Sequence, residues 1–369
     1  MTANVCIYQK VSAEIIALIS KGKLVAGDKA PSVNDIRKKY KISHITALRV
    51  LQELAKENYL EFVMGKGYYV KAESNSRISR IKGVIGCITR TFRETTIHDN
   101  YFNEINQGIQ NQAMQKNFNV LYPACNLRFR PMNVSGSNLA EIRNAIEKMK
   151  DTVDGFIFDE RIPDDVISEI MGRINNPFVV VNRTSSLPID TVTADNAGGA
   201  KEAAGFTIKL GYEHFILFKD EKSVSNHDLR FTSFLSTLVD KNIRKENIDI
   251  IEGIFIQPLE VTISKLKKAL KKNRNLKKLI FALSDNIARP VSEVLIKEGL
   301  TLGENTGLLG FDGMDCARMK KPFLSTVEIN PAKIGALAAD ILIDRINNSH
   351  LEAPGNHVVS VNFSAGETI

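Results

Sequence analysis

Polar, charged and aromatic side chains lie near the ends of several short apolar segments in residues 83–369, where they could bind a small polar molecule. The set comprises Tyr101, Phe102, Asp159, Asn182, Arg183, Arg230, Asp285 and Asp312. Carboxylates, amides and arginines form hydrogen bonds with vicinal hydroxyls, and an aromatic ring packs on the C–H face of a sugar. The set therefore predicts a site for a monosaccharide. For any one of these residues a helix cap or a polar loop position is an equally good interpretation, and only their recurrence favours a site.

A second group of residues that could bind a partner lies in a basic N-terminal segment. Residues 1–82 contain 15 Lys or Arg and 7 Asp or Glu, whereas the remaining residues contain 34 and 35. The net charge of +7 therefore resides in the N-terminal segment. Because Lys and Arg bind polyanions by releasing counterions from phosphates, nucleic acid is the predicted partner. A merely solvated basic surface is the alternative.

Three helices are predicted to position these residues. The apolar spacing predicts a first helix over residues 8–21, and Ser32 and Ser43 are candidate N-caps of a second and a third. The third helix carries one apolar stripe, made of Ala47, Val50, Leu51 and Leu54. That stripe leaves His44, Thr46, Leu48 and Arg49 near the exposed start of the helix. A short helix, a tight turn and a helix with an exposed start fit the major groove of DNA.

A β-hairpin is predicted directly after the third helix. The segment YLEFVMGKGYYV alternates around Gly65-Lys66-Gly67, which places one cation at the tip between two residues without side chains. A helix-turn-helix pattern is weak by itself, and the adjoining hairpin makes it more specific. Residues 72–82 are polar, lack hydrophobic periodicity and are predicted to form a linker.

Over residues 7–71 the sequence resembles the GntR family of bacterial winged-helix transcription regulators, through the order of its elements, the Pro-Ser pair before the second helix and the Gly-basic-Gly tip. The resemblance implies phosphate contacts near Ser32, base reading by the start of the third helix, and a wing that enters the minor groove through Lys66. The expected DNA contacts are Ser32, Asn34, Ser43, His44, Thr46, Leu48, Arg49, Lys66 and Gly67. The family usually has arginines at positions 34, 44 and 48, so a different operator preference is expected.

The remainder of the chain alternates strand and helix patterns. Apolar segments such as DGFIF, PFVVV, HFILF and TGLLGF are separated by helical stretches, which indicates parallel α/β sheets with ligands at the carboxyl ends of the strands. About 285 residues of this pattern predict two similar lobes around a cleft. The predicted domains are 1–71 for DNA binding, a linker over 72–82, and 83–369 for effector binding and dimerisation.

From about residue 81 to 368 the sequence resembles the LacI/GalR-type effector domains, which are related to periplasmic sugar-binding proteins. The matching segments include DNYFNEINQGIQNQA, PFVVVNR, FALSDNIARPVSEVLIKEGL and GLLGFDG. The resemblance implies effector contacts at Tyr101, Phe102, Asn182, Arg230, Asp285 and Asp312, with Asn182 replacing the usual aspartate. The expected fold is α/β: a winged helix-turn-helix followed by a two-lobed, periplasmic-binding-protein-like domain with parallel sheets.

These features predict a transcription regulator, expected to be a repressor, with double-stranded operator DNA, a monosaccharide or related effector, and a second copy of itself as partners. A sugar-processing enzyme carrying a basic domain is the alternative. No catalytic residue, metal or cofactor is expected, because the carboxylates lack a recognisable acid–base spacing and the six histidines show no i, i+4 pair with a carboxylate. No signal peptide or membrane span is apparent, so a cytoplasmic location is expected.

Overall fold

The computed structural model describes residues 7–20, 23–56, 58–71, 83–90, 100–123, 136–219, 225–252, 258–347 and 353–369. The chain divides into two compact units, residues 1–82 and residues 83–369. Among the helices described, none combines the length and apolarity that crossing a bilayer requires.

The first unit contains three helices and a two-stranded antiparallel sheet. Its elements are α1 (Ile7–Ser20), α2 (Val33–Tyr40), α3 (His44–Lys56), β1 (Leu60–Val63) and β2 (Gly67–Val70). The apolar stripe of α3 packs with Val11, Ile15 and Ile36 into a core that is separate from those of the second unit. This arrangement confirms the predicted winged helix-turn-helix.

Local capping fixes the starts of α2 and α3. The Ser32 hydroxyl accepts a hydrogen bond from the Asp35 backbone N–H, while Asp35 Oδ2 accepts one from the Ser32 N–H at 2.9 Å, which forms a capping box. Ser43 Oγ accepts a hydrogen bond from the Thr46 N–H at 3.1 Å. The two serines therefore set the turn between these helices.

The second unit contains two lobes, each built on a parallel sheet. The first lobe has strands β3 (Val84–Ile88), β4 (Asn119–Leu121), β5 (Gly155–Phe158), β6 (Phe178–Val181), β7 (Asp190–Ala194) and β13 (Asn356–Val359), in the order β13-β7-β6-β5-β3-β4. Its helices are α4 (Asn100–Gln115), α5 (Gly136–Met149), α6 (Asp164–Met171) and α12 (Pro331–Asn347). The buried residues of the strands join the core clusters with apolar residues of these helices.

The second lobe has strands β8 (His214–Lys219), β9 (Ile248–Glu252), β10 (Lys278–Phe281) and β11 (Thr306–Leu309), in the order β11-β10-β8-β9. Its helices are α7 (Asn196–Lys209), α8 (Ser225–Asp240), α9 (Leu259–Leu270), α10 (Asp285–Lys297) and α11 (Asp315–Arg318), with a 3₁₀ turn at Lys245–Asn247. Beside this sheet, β12 (Thr326–Glu328) pairs antiparallel with β14 (Asn362–Ser364).

The chain passes between the lobes at three places in the described residues. It leaves the first lobe after β7, returns between β12 and α12, and leaves again between β13 and β14. The two lobes are therefore each built from discontinuous segments, and all three connections are available to carry a change in the angle between the lobes.

Helices α4 and α12 of the first lobe pack backbone to backbone. A Cβ on Gly108 would lie 1.9 Å from the carbonyl oxygen of Ala332, and one on Gly335 would lie 2.0 Å from that of Ile105. Only glycine permits this approach, so the two helices form a rigid support for the strands beneath them.

Candidate functional sites

A groove of about 770 Å³ runs along the first unit between the start of α2, one face of α3 and the hairpin. Its lining includes six of the residues predicted to contact DNA: Ser32, Asn34, His44, Leu48, Lys66 and Gly67. These residues come from three elements that are apart in sequence, and the fold brings them to one surface.

Lys66 lies at the exposed tip of the hairpin, between two glycines with positive φ. Gly65 has φ +75° and Gly67 has φ +104°, conformations that residues with a Cβ rarely adopt. The tight turn therefore presents one ammonium group without neighbouring bulk, as a cation that enters a narrow groove requires.

The other three predicted DNA contacts are outside the residues that line this groove. Ser43 and Thr46 share a hydroxyl–hydroxyl hydrogen bond of 2.8 Å in the first turn of α3, and Arg49 is exposed one turn further along. Conversely, the lining includes Lys29, Gln52, Phe62 and Tyr68, which sequence reasoning did not select. Phe62 is exposed and packs against Tyr68, with ring centroids 5.1 Å apart.

In the second unit, a hydrogen-bonded network lies at the carboxyl ends of β3, β5 and β6. The Tyr101 hydroxyl donates to Asn182 Oδ1 at 2.7 Å, and Asn182 Nδ2 donates to Glu160 Oε2 at 2.5 Å. Arg90 donates from Nη2 to Glu160 Oε1 at 2.5 Å and from Nε to Asp159 Oδ2 at 2.9 Å. The network thus joins all three strand ends in the first lobe.

The same arginine covers the aromatic residue that was predicted to pack on a sugar. The guanidinium carbon of Arg90 lies 3.4 Å from the ring centroid of Phe102, and both residues are buried. In this conformation the covered face of Phe102 is in contact with Arg90 and not open to a ligand. The adjacent Tyr101 ring meets Phe102 edge-on at 5.5 Å and reaches Asn182 with its hydroxyl.

The second lobe contributes a buried ion pair. Arg230 Nη2 lies 2.8 Å from Asp312 Oδ1, while Arg230 Nε donates to Asn196 Oδ1 and Nη1 to the Leu283 carbonyl, each at 2.8 Å. The guanidinium also lies over the Phe311 ring at 4.0 Å. Burial raises the pKa of Asp312, and the positive charge of Arg230 opposes that rise.

Asp285 supports the loop that carries Asp312. Its carboxylate accepts hydrogen bonds from the Met314 N–H at 2.8 Å and from the Thr326 hydroxyl at 2.7 Å, and its side chain is fully buried. Burial, followed by the negative charge of Asp312, raises the pKa of Asp285 to about 7. Asp285 therefore holds the site in shape from within the lobe.

Groups from both lobes meet near Tyr101. Burial raises the pKa of its phenol, the charges of Asp312 and Glu160 add to the rise, and those of Arg230 and Arg90 oppose it. The Tyr101 hydroxyl bonds to Asn182 of the first lobe, and a residue of the second lobe bonds to Asn182 as well. Asn226 strengthens the junction, because its Nδ2 donates to the Asn182 carbonyl at 2.8 Å and its Oδ1 accepts from Asn196 Nδ2 at 3.2 Å.

Arg183 lies apart from this meeting point. Its Nη2 pairs with Asp164 Oδ1 at 2.6 Å and donates to the Ile162 carbonyl at 3.0 Å. The contacts of Arg183 therefore lie within its own lobe, and its role toward an effector stays a prediction.

Sequence reasoning missed Arg90, Glu160, Asn196 and Asn226. The position of Arg90 and Glu160 at strand ends was the available signal, since Arg90 follows β3 and Glu160 follows Asp159. Asn196 and Asn226 lie in the first turns of helices, where a capping role was the simpler interpretation.

Comparison with known proteins supports both units. Residues 7–70 match the profile of bacterial regulatory proteins of the gntR family, and residues 204–369 match that of a periplasmic binding protein-like domain. The HTH-type transcriptional repressor MelR of Bacillus subtilis is 22% identical over 340 residues, covering 86% of this chain and 92% of that protein. The arabinose metabolism transcriptional repressor of Geobacillus stearothermophilus is 22% identical over 359 residues, covering 95% of this chain and 93% of that protein.

Solved structures show the same fold. A LacI family transcriptional regulator from Enterococcus faecium with bound ribose has a TM-score of 0.62 and 24% identity, covering 77% of this chain and 98% of that chain. The transcriptional regulator CelR in complex with cellobiose has a TM-score of 0.63 and 16% identity, covering 98% of this chain and 99% of that chain.

Proposed function

We propose that this chain is a DNA-binding transcription regulator, in which a helix-turn-helix domain matching the gntR family profile is joined to a periplasmic binding protein-like domain. A monosaccharide or related small effector controls its affinity for operator DNA. The observation that carries the proposal is a hydrogen-bonded junction of polar groups from both lobes, in which Tyr101 and Asn226 both bind Asn182 and Asn226 also binds Asn196. Such a set, with aromatic rings beside it, is suited to a ligand rich in hydroxyls.

Repression is the proposed outcome of DNA binding. The relatives MelR and the arabinose metabolism repressor are both named as repressors, and each aligns with most of this chain. The exposed lysine of the hairpin and the groove beside α3 support contacts to phosphates and base edges of double-stranded DNA. The proposed contacts are those that the sequence indicated, from Ser32 to Gly67.

The proposed effector site consists of Tyr101, Asn182, Arg230 and Asp312, with Phe102, Asp285 and Asp159 in supporting positions. Structural relatives with bound ribose and cellobiose make a sugar the class to test first. The ion pair between Arg230 and Asp312 offers both a donor and an acceptor, which matches the two roles of a sugar hydroxyl.

The proposal includes a homodimer. Edge strand β4 and helix α4 expose Leu121 and Met114 in the first lobe, and β9 and α8 expose Ile250 and Val239 in the second. Exposed apolar side chains on edge strands and adjacent helices are suited to burial against a second copy. A two-fold dimer would place two DNA-binding units on two half-sites, so the operator would be a pseudo-palindrome.

Effector and DNA would be coupled by linkage. A sugar that draws the lobes together changes the pairing of the two second units, and this alters the fit of the two first units to their half-sites. A coupling free energy of about 1 to 3 kcal/mol changes operator affinity about 5- to 150-fold. In this proposal the protein acts in the cytoplasm and carries out no catalysis, so the sugar is recovered unchanged.

The test begins by selecting DNA sites from a random library with the purified full chain. Fluorescence anisotropy then measures affinity for the selected site with and without D-ribose, L-arabinose, D-xylose or cellobiose. At least one sugar should shift the affinity, and chromatography should recover that sugar intact. A chain that selects no DNA, or that holds DNA equally with every sugar at saturating concentration, would refute the proposal.

A further inference from the structure

Two consecutive carboxylates, Asp159 and Glu160, directly follow strand β5 and have different surroundings. Asp159 is fully buried, and Oδ2 accepts hydrogen bonds from the backbone N–H and Nε of Arg90 at 3.2 Å and 2.9 Å. Its Oδ1 accepts from the Arg161 N–H at 3.0 Å. All three donors belong to the first lobe, so Asp159 stabilises the turn after the strand.

Glu160 is oriented differently. Its side chain is 10% exposed, whereas that of Asp159 is 0% exposed. Arg90 Nη2 donates to Oε1 and Asn182 Nδ2 donates to Oε2, each at 2.5 Å. An ionised carboxylate has about four acceptor positions, so these two bonds fix the group without using its full capacity.

Glu160 also acts on the place where the lobes meet. Together with Asp312 of the second lobe, its negative charge contributes to the raised pKa of Tyr101. The Tyr101 hydroxyl in turn donates to Asn182, which is the residue that holds Glu160. Asn226 of the second lobe donates to the Asn182 carbonyl at 2.8 Å, so Glu160 is held beside a contact between the lobes.

We propose that Glu160 is the carboxylate with which the first lobe binds the hydroxyls of the effector, and that Asn182 and Arg90 hold it in position. This inference rests on the proposed function and assigns a determinant of specificity within that site. Sequence reasoning had selected Asp159 and Asn182 at these strand ends, and neither supplies an accessible carboxylate.

The identity of residue 182 follows from this arrangement. The Asn182 amide donates to Glu160 and accepts from Tyr101, which requires one donor and one acceptor on the same side chain. An aspartate here would place a second carboxylate 2.5 Å from the first, and like charges at that distance destabilise each other. The pair therefore carries a single negative charge, and it is located at position 160.

Three variants of the full chain test this assignment: Glu160→Gln, Asn182→Asp, and the two combined. The double variant conserves net charge and allows every hydrogen bond of the network, because the introduced glutamine would donate to the introduced aspartate and accept from Arg90. It moves the carboxylate from one position to the other. Calorimetric titration with D-ribose, L-arabinose, D-xylose and cellobiose gives Kd, and thermal unfolding gives Tm.

Glu160→Gln should weaken binding of the sugar that the wild type binds by about 10- to 150-fold, the range expected when a charged hydrogen-bond acceptor is lost. Asn182→Asp should lower Tm, and the double variant should restore Tm without restoring sugar affinity. The control is Glu169→Gln, which removes a carboxylate of helix α6 that pairs with Arg143 of α5. This variant should bind sugar normally.

Unchanged sugar affinity in Glu160→Gln, or recovery of affinity in the double variant, would overturn the assignment while leaving the proposed function intact. A wild-type chain that binds none of the four sugars at millimolar concentration would instead reject the sugar effector, and the role of Glu160 with it.

Discussion

Replacing Asp312 with Asn tests the contribution of one carboxylate with little disturbance of the backbone. Asp312 has φ 108°, a region that asparagine tolerates better than most residues do. Its partner Arg230 keeps hydrogen bonds to Asn196 Oδ1 and the Leu283 carbonyl at 2.8 Å. The guanidinium is therefore still held in place when the charge of Asp312 is removed.

Asp312→Asn is expected to weaken binding of the effector. A hydrogen bond to a charged group contributes about 1.5 to 3 kcal/mol, so Kd for the sugar should rise about 10- to 150-fold. Burial raises the pKa of Asp312 in spite of Arg230, which shows that the folded protein disfavours its charge. Removing that charge leaves the buried guanidinium of Arg230 with neutral acceptors only, so a lower Tm is expected beside the weaker sugar binding.

The stability contribution of Asp312 and the sugar affinity should depend on pH with opposite signs. A carboxyl with a raised folded-state pKa contributes stability that is present at low pH and is lost as pH rises through that pKa. Sugar binding behaves in the opposite way, because the ionised carboxylate is the acceptor. Wild-type affinity should therefore fall as pH falls through the pKa of Asp312, and Asp312→Asn should lack this dependence.

Calorimetric titration of the effector and anisotropy with operator DNA are the two assays. Because coupling is reciprocal, the variant should bind DNA as the wild type does without sugar, and a sugar concentration that saturates the wild type should change its affinity little. Asp340→Asn, a change at a half-exposed carboxylate of α12 that pairs with Lys116 directly after α4, is the matched control. Equal sugar affinity in the wild type, Asp312→Asn and Arg230→Ala would refute the assignment of this ion pair to the effector site.

Three further predictions concern the rest of the chain. Lys66→Ala should weaken binding to all DNA sequences and lower the slope of log K against log salt by about 1, as measured by anisotropy. Lys320→Ala is the control. An unchanged slope in Lys66→Ala would exclude the hairpin from the interface. Residues 1–75 alone should fold and give a helical circular dichroism spectrum, because their core is separate. They should bind operator DNA more weakly than the full chain, because they lack the second copy that allows bivalent binding. Equal affinity, or a full chain that sediments as a monomer on DNA, would contradict bivalent binding. Burial raises the pKa of Asp285 from 3.8 to about 7, so its stabilising contribution should be lost as pH rises from about 4 to about 7. Asp285→Asn should flatten the dependence of Tm on pH over that range, and an unaltered slope would assign the dependence to other groups.

Local sequence was sufficient to predict the first unit. Ser32 and Ser43 act on backbone groups three residues away, and the apolar stripe of α3 follows from its helical period. Glycines at 65 and 67 allow the tight turn of the hairpin without help from distant residues. These are interactions of short range, so the sequence specifies them directly.

The fold class of the second unit was predictable from the sequence, but several of its strands were not. Alternating apolar segments indicated parallel sheets, and the strand order confirms this. The described structure adds strands β7, β9 and β12 to β14, which sequence reasoning did not single out. Strand β13 lies late in the chain and pairs with β7 at the edge of the first sheet. The sequence did not predict this pairing, because hydrogen bonds between strands do not depend on their separation along the chain.

The sequence by itself determined which chemistry the strand ends could offer: Arg230, Asp285 and Asp312 were identifiable from residue type and position alone. It did not determine which of two adjacent carboxylates is fully buried, or that Arg90 covers Phe102. Asp159 and Glu160 differ by one position on the chain, and their surroundings are set by Arg90 and Asn182, which follow other strands, and by the Arg161 N–H of the same turn. Only tertiary structure fixes such contacts, because the energy of a buried charge depends on the groups that surround it in space and not on its neighbours in sequence.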